Sequence, residues 1–255
     1  MTLSQVVQRI GISESHLSRM EMGKRAPSPE DLSALLVIYG VTGNERLELL
    51  TLAKKCSQPG LWHQGTYESR YATLKLLESR ATAIVTFESL LIPGLLQTLP
   101  YAQAIFREVD MSDDQAVVEA RAIGRVDRQA ALRKLDCPKL TAIVTEAALR
   151  SVIGGRHVMR DQLTYLVEAA ERPNVTFLVV PTAVGGHPGL EGSFVRLRFA
   201  DRPSVVYMPN RHSSLYLEDP VEVAAYDSII GKLKSLAMSE ENSARLVSEM
   251  AASLG

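Results

Sequence analysis

Gly11, Ser13, Ser15, His16, Ser18 and Arg19 follow one another in the order of a tight turn and a helix whose outer face is rich in hydrogen-bonding groups. Gly11 supplies the positive φ that such a turn needs, Ile12 an apolar anchor, and Ser13 a hydroxyl N-cap. Leu17 and Met20, three residues apart, direct one stripe of the helix inward, leaving Glu14, Ser15, His16, Ser18 and Arg19 outside. Side chains of these types suit the edges of DNA bases. In a helix-turn-helix the second helix lies in the major groove, its first residues at base edges, while the preceding helix crosses the backbone. Ser15, His16 and Arg19 are the base-edge candidates, flanked by Ser13 and Ser18. Gln5, Lys24 and Arg25 are placed to touch phosphate, which sets register and affinity without reading sequence. A plain amphipathic hairpin shares the pattern, because glycine, an apolar residue and serine form a common helix start.

Elsewhere the chemistry is sparser. Arg121, Arg125 and Arg128 recur at helical spacing and form a stripe able to receive a carboxylate, a phosphate or an acidic partner. The same stripe reads equally as a solvated face balanced by Glu119 and Asp127. Gly185–Gly192 forms a glycine-rich loop containing His187 and Glu191, either a mobile cover over a small ligand or a long connection between strands. It lacks the phosphate-binding arrangements of glycine. Trp62, Tyr67, Tyr71, Tyr207 and Tyr216 are material for an apolar pocket with polar tips, or for a core. The histidines show no metal-ligand spacing. No G-x-S-x-G elbow accompanies His187, Glu191 and Ser193, so no catalytic residue or metal site is assigned.

The elements that must hold these residues fall into two parts. Residues 1–55 read as a small helical domain: beyond Gly23, Ser28-Pro29-Glu30-Asp31 opens another helix with an N-cap, a proline at its first position and acids in its first turn. Leu32, Leu35, Leu36 and Tyr39 are expected to bury one face of it, and Leu47, Leu49, Leu50 and Ala53 one face of the next. Cys56-Ser57-Gln58-Pro59-Gly60 interrupts the helical pattern, so residues 56–66 read as a linker. In residues 67–255, strands are expected at 83–88, 140–145, 175–180, 193–199 and 205–208. Helices are expected at 113–135, capped by Ser112, and at about 219–237 and 240–253. Strands interleaved with helices predict an α+β or α/β domain with a central sheet flanked by helices.

With 255 residues and 46% hydrophobic composition the chain can bury a sizeable core. Its net charge is −1, and the first 55 residues hold seven Lys/Arg against six Asp/Glu. That balance argues against strong nonspecific attraction to nucleic acid, though not against a specific dimer. Two distant cysteines, Cys56 and Cys137, suggest neither a disulfide scaffold nor a zinc site and fit a reducing cytoplasm. Neither a secretory leader nor a membrane-spanning apolar run is evident.

The run GISESHLSRMEMGKRAPSPEDLSALLVIYGV, within residues 3–55, resembles the Xre/Cro-type helix-turn-helix. The remainder is similar to the domain that follows this motif in actinobacterial WhiJ-like, antitoxin-like regulators. The phrases that carry this likeness are Ile92-Pro93-Gly94-Leu95-Leu96-Gln97-Thr98 with Tyr101-Ala102, Arg128-Gln129, Thr145–Arg150, Met159–Leu163 and Gly189–Phe194. The resemblance implies a cytoplasmic, homodimeric transcriptional regulator that binds an operator and needs no cofactor. It also implies a small protein partner encoded nearby, or a small-molecule effector. Two departures accompany it. Such domains open with a further helix of about ten to fifteen residues, whereas only Met1 and Thr2 precede the hairpin. That would leave Leu17, Met20 and Leu35 short of packing and Glu21 without its usual basic partner. Val7 stands where the family prefers alanine, and extra volume at such a contact costs about 1–3 kcal/mol. Two alternatives stay open: a cofactor-independent enzyme or ligand-binding protein that has lost DNA binding, and an interaction module with an exposed apolar groove over Leu17, Met20 and Leu35.

Overall fold

The computed structural model describes residues 3–22, 27–56, 61–63, 67–109, 111–211 and 213–255. They gather into two compact units, residues 1–61 and 62–255, each with its own core.

Among the described residues the first unit contains four helices: α1 (Leu3–Ile10), α2 (Glu14–Glu21), α3 (Pro29–Ile38) and α4 (Gly43–Cys56). Gly11 takes φ +80° between α1 and α2, a conformation that costs glycine nothing and strains any residue with a Cβ. The Ser13 hydroxyl accepts the amide hydrogen of His16 at 3.2 Å and starts α2; Ser28 does the same for Asp31 at 3.0 Å and starts α3. Val6, Leu17 and Leu35 form the core, with Val7, Ile10, Ile12, Met20 and Ile38 partly buried around them. The groove anticipated over Leu17, Met20 and Leu35 is not present: Leu17 is fully buried and Leu35 only 7% exposed. Val7 packs at the margin of this core. Glu21 has a partner after all, since the Tyr39 hydroxyl donates to its Oε1 at 2.8 Å. Tyr39 is consequently exposed rather than part of a buried face, and Leu47 on α4 is exposed too. One tie between α4 and α3 is polar, Arg46 donating to the Ser33 hydroxyl at 2.8 Å.

The second unit is an α+β domain built on a seven-stranded sheet. Its strands are β1 (Leu61–His63), β2 (Ala83–Glu88), β3 (Lys139–Thr145), β4 (Val175–Val180), β5 (Phe194–Arg198), β6 (Val205–Pro209) and β7 (Ser214–Leu217), arranged β1-β7-β6-β5-β2-β3-β4. β2, β3 and β4 run parallel, whereas β5, β6 and β7 are antiparallel. β2 is the hinge of the arrangement, with a parallel neighbour on one side and an antiparallel one on the other.

Strand alternation sends Ile84 and Thr86 to one face and Val85 and Phe87 to the other. Among the described residues seven α-helices accompany the sheet: α5 (Tyr67–Arg80), α6 (Leu99–Glu108), α7 (Gln115–Asp127), the short α8 (Glu146–Arg150) after β3, α9 (Gly155–Ala170), α10 (Pro220–Leu236) and α11 (Glu240–Ser253). α9 and α11 pack together against the Ile84 side through Met159, Leu163, Val247 and Ala251. α10 covers the Phe87 side through Val223, Ile230 and Leu233. The helix expected over 113–135 is shorter: Asp114 caps α7, its Oδ1 accepting from Ala116 and Val117, while Ser112 belongs to the turn that closes α6. From Arg128 to Arg133 the chain tightens into a 3₁₀ turn. With three residues per turn, Arg128 stacks over Ala131 and Gln129 over Leu132, and all four are buried.

Candidate functional site

On α2, Ser15 and Arg19 are exposed, and Arg19 Nε donates to the Ser15 carbonyl at 3.1 Å, holding the guanidinium along the helix. Ser18 is half-buried, and Ser13 is occupied as the cap. His16 differs from the sequence expectation. Its Nε2 lies 3.1 Å from Asp31 Oδ2 and the ring is four-fifths covered, because Asp31, fifteen residues on, presents a carboxylate at the start of α3. Burial, the largest single influence, pushes the Asp31 carboxyl up, but His16 and Ser28 together more than offset it and hold it below the ordinary value. Gln5 is exposed on α1. Lys24 and Arg25 lie outside the described residues. The unit thus presents Ser15 and Arg19 at its surface, while His16 between them is spent on structure.

The second unit contains a cleft of about 910 Å³ over the end of β2. Tyr71, Leu74 and Glu78 of α5 and residues 209–211 border it, together with three further groups. The sheet contributes Ile84, Thr86 and Glu88 from β2, Val195 from β5 and Tyr207 from β6. The loop after β2, with the 3₁₀ turn Gly94–Leu96, contributes an apolar wall from Leu90 to Leu95. α7 and the turn after it contribute Arg121, Arg125 and Arg128. The arginine stripe is therefore no solvated face: it lines the cleft, and the carboxylate that meets Arg128 is Glu78 rather than Glu119 or Asp127.

Arg128 is 7% exposed and makes a forked pair with Glu78 of α5, its Nε donating to Oε2 at 2.7 Å and Nη2 to Oε1, while Nη1 donates to the Tyr71 hydroxyl at 2.7 Å. This planar two-point recognition is what a guanidinium does and an ammonium does not. Gly94 lies against the same group, where a Cβ would stand 3.5 Å from Nη1. Arg125 donates to Gln97 Oε1 at 3.1 Å and lies 4.3 Å above the Phe106 ring. Gln97 is itself pinned, giving its amide to the Ile92 carbonyl at 2.7 Å and accepting at its backbone oxygen from Gln129. Gln162 completes the clamp, donating to the Leu96 carbonyl and accepting from the Thr98 amide, both at 2.7 Å. Buried amides therefore fix the wall of the cleft by saturating its backbone.

Glu88 closes the floor, partly buried beside Ser193. Desolvation pushes its carboxyl up to about 7, although Ser193, Arg125 and Arg128 all favour the charged form. Sequence reasoning passed over this residue, which stood only as the last residue of an apolar strand; a carboxylate ending such a run is the signal that was available. Gln97, Gln129 and Gln162 were likewise recorded as motif letters and not as site residues.

Of the other candidates, His187 and Glu191 do not join the cleft. The Gly185–Gly192 loop contains one short 3₁₀ turn, Pro188–Glu191, which sits on the opposite face of the sheet. Gly189 is buried so closely on Phe87 that a Cβ would fall 2.2 Å from the ring. His187 packs edge-on to Phe87 and accepts the Gly189 amide hydrogen at Nδ1, so it organises the turn; Glu191 is exposed. The loop is a packed connection with no reach to the cleft. Tyr71 is in the cleft, whereas the side chains of Trp62 and Tyr67 lie outside those described. Among the described residues no group of His, Cys, Asp and Glu is arranged to hold a metal ion, and no helix is long and apolar enough to cross a membrane.

Comparison with known families separates the same two parts. A helix-turn-helix domain model matches residues 1–49, and the domain of unknown function DUF5753 matches residues 71–249. The chain belongs to the DUF5753 family. No curated protein and no solved structure matches it. The cleft and its arginines lie within the DUF5753 domain, and the exposed face of α2 within the helix-turn-helix domain.

Proposed function

We propose that the chain is a cytoplasmic, homodimeric transcriptional regulator of the Xre, WhiJ-like type. Its helix-turn-helix domain binds an operator, and its DUF5753 domain carries the dimer contact and senses a small ligand or a protein partner. The observation that carries this reading is the α1–Gly11–α2 arrangement with Ser15 and Arg19 exposed on the first turns of α2, where a major groove is read. Arg19 is the expected base reader, Ser15 its neighbour, and Gln5 a phosphate contact. His16 supports the reading from behind, through Asp31.

The near-neutral charge of the first 55 residues supports specific over nonspecific attraction. Binding is therefore expected to depend on a dimer that engages two half-sites about one helical turn apart. The test is selection of a randomised duplex library on the full chain, followed by anisotropy titrations between about 50 and 200 mM salt. A selected site whose affinity falls with salt, and falls about tenfold or more in Arg19→Ala, is the expected result. No enriched sequence, or an enriched sequence indifferent to Arg19→Ala, overturns the assignment.

A further inference from the structure

We infer that the cleft over β2 takes an uncharged molecule bearing an amide group on an apolar body, the amide set between the Glu88 carboxyl and the Thr86 hydroxyl. This rests on the reading of the DUF5753 domain as a ligand sensor and gives that ligand a chemical class.

An unspent hydroxyl is the first argument. Thr86 lines the cleft and is only 4% exposed, yet among the described residues its hydroxyl makes no hydrogen bond. It stands in the middle of the sheet, with β3 on one side and β5 on the other, where a polar atom left without a partner costs free energy. A ligand atom in the cleft would supply that partner.

Glu88 is the second argument. It is the next residue on the same face of β2, about 6.6 Å further along the strand, and it lines the same cleft. The Ser193 hydroxyl bonds to its carboxyl, but a carboxylate offers about four acceptor sites and a carboxylic acid still keeps some. In either form Glu88 is the better acceptor of the two, so it takes a ligand N–H and leaves Thr86 to donate to a ligand oxygen. A donor beside an acceptor is what an amide presents. An ester offers only acceptors, and an ammonium only donors.

The surroundings decide the rest of the molecule. Leu91, Ile92, Leu95 and Val109 line the cleft, a hydrocarbon or aromatic body would fill them, and the volume of about 910 Å³ suits an organic small molecule. The carbonyls of Ile92 and Leu96 in this wall are already engaged by Gln97 and Gln162, so β2 is where the polar end belongs. Burial pushes the Glu88 carboxyl up to about 7 although Ser193, Arg125 and Arg128 favour its charged form. A place that penalises the protein's own charge penalises one carried in by a ligand, and a neutral head group escapes that cost.

The test is titration calorimetry on the full chain near neutral pH, with octanamide, methyl octanoate, octanoate, octylamine and acetamide as probes. Saturable one-to-one binding of octanamide is expected. The ester, the anion and the amine share its chain and should bind at least about tenfold more weakly, as should acetamide, which has the head group alone. Thr86→Val should weaken octanamide about three- to tenfold and Glu88→Leu about ten- to a hundredfold, while Glu88→Gln, which keeps an acceptor, should stay within about threefold of the parent.

A thermal melt of each variant separates lost binding from lost fold. Valine matches threonine in shape and removes a hydroxyl that has no partner, so Thr86→Val should melt no lower than the parent and decides the matter if Glu88→Leu fails to fold. The inference is overturned if octanamide does not bind, if the ester, the anion or the amine binds as tightly, or if Thr86→Val and Glu88→Leu bind it like the parent. Repeating the DNA titration with octanamide separates this inference from the reading beneath it. Amide binding that leaves DNA affinity unchanged retains the site and removes the sensor. Absence of amide binding with intact DNA binding removes the site and retains the regulator.

Discussion

In the helix-turn-helix domain the side chains that make hydrogen bonds stand at helix ends and near the surface: Ser13 and Ser28 cap, Tyr39 reaches Glu21, and His16 meets Asp31 at a seam where each side chain is about a fifth exposed. In the DUF5753 domain the corresponding work is done inside. Glu78, Arg128, Gln97, Gln129 and Gln162 are all buried, and each satisfies a partner from a different element. The contrast has an energetic consequence. A polar contact at the surface can be replaced by water, so its loss is cheap, whereas a buried one leaves an unpaired group in low dielectric. The small domain should therefore tolerate polar substitutions that the large one does not.

Arg128→Ala offers the severest check on this difference. It would leave the Glu78 carboxylate, 2% exposed at its side chain, without its counter-charge, and remove the donor to Tyr71. Denaturant unfolding should register a loss of about 3–5 kcal/mol. A loss under 1 kcal/mol would mean that the interior of the domain admits water, and the contrast between the two regions would fail.

Glu88 sharpens the comparison through pH. Its carboxyl is raised in the folded state, so the stability it contributes is fully present below its ordinary value near 4.5 and is lost as pH rises through about 7. The loss over that window should approach about 2–3 kcal/mol, reduced toward the lower figure because the carboxyl borders a cleft that water reaches. Glu88→Gln removes this dependence. Unfolding curves of parent and variant between pH 5 and 8 should converge or cross, with the variant gaining relative stability as pH rises. Parallel curves would show that Glu88 is solvated like a surface acid.

Ser13→Ala and Ser28→Ala address the small domain. Each removes one cap, and each should cost about 1 kcal/mol, read as a lowered unfolding midpoint of that domain alone. Simultaneous destabilisation of the DUF5753 domain would contradict its separate core.

These differences also explain what could be read in advance. The caps and the Gly11 turn are local, each set by residues within a few positions, and residues 11–21 and 28–31 declared them. The β-branched run at 83–88 and the strands at 175–180 and 205–208 were legible from composition for the same reason, while the short β7, with its alternating polar and apolar residues, gave no comparable run. The cleft was legible only by halves. The spacing of Arg121, Arg125 and Arg128 announced a stripe, but which way it faces depends on Glu78, fifty residues earlier, and on Gln97, twenty-eight residues before Arg125. Periodicity cannot report such contacts. His16 was misplaced for a similar reason, since its partner Asp31 belongs to the next helix.

Asp31→Asn is expected to have the smallest effect, and its pH profile makes it informative. The Asp31 carboxyl is held below its ordinary value by His16 and Ser28, so its contribution is present above that value and is lost as pH falls through the folded one. Asparagine keeps a hydrogen-bond acceptor near His16 but not the charge. Because both side chains are about a fifth exposed, water screens the pair, and near neutral pH the loss should stay within about 1 kcal/mol. At pH 3 the two proteins should unfold alike. A loss that persists undiminished in acid would mean that Asp31 acts through packing and not charge, and His16 would then be free to turn outward beside Ser15 and Arg19. The exposed face of α2 would gain a third hydrogen-bonding side chain, and the division between surface and interior would move by one residue.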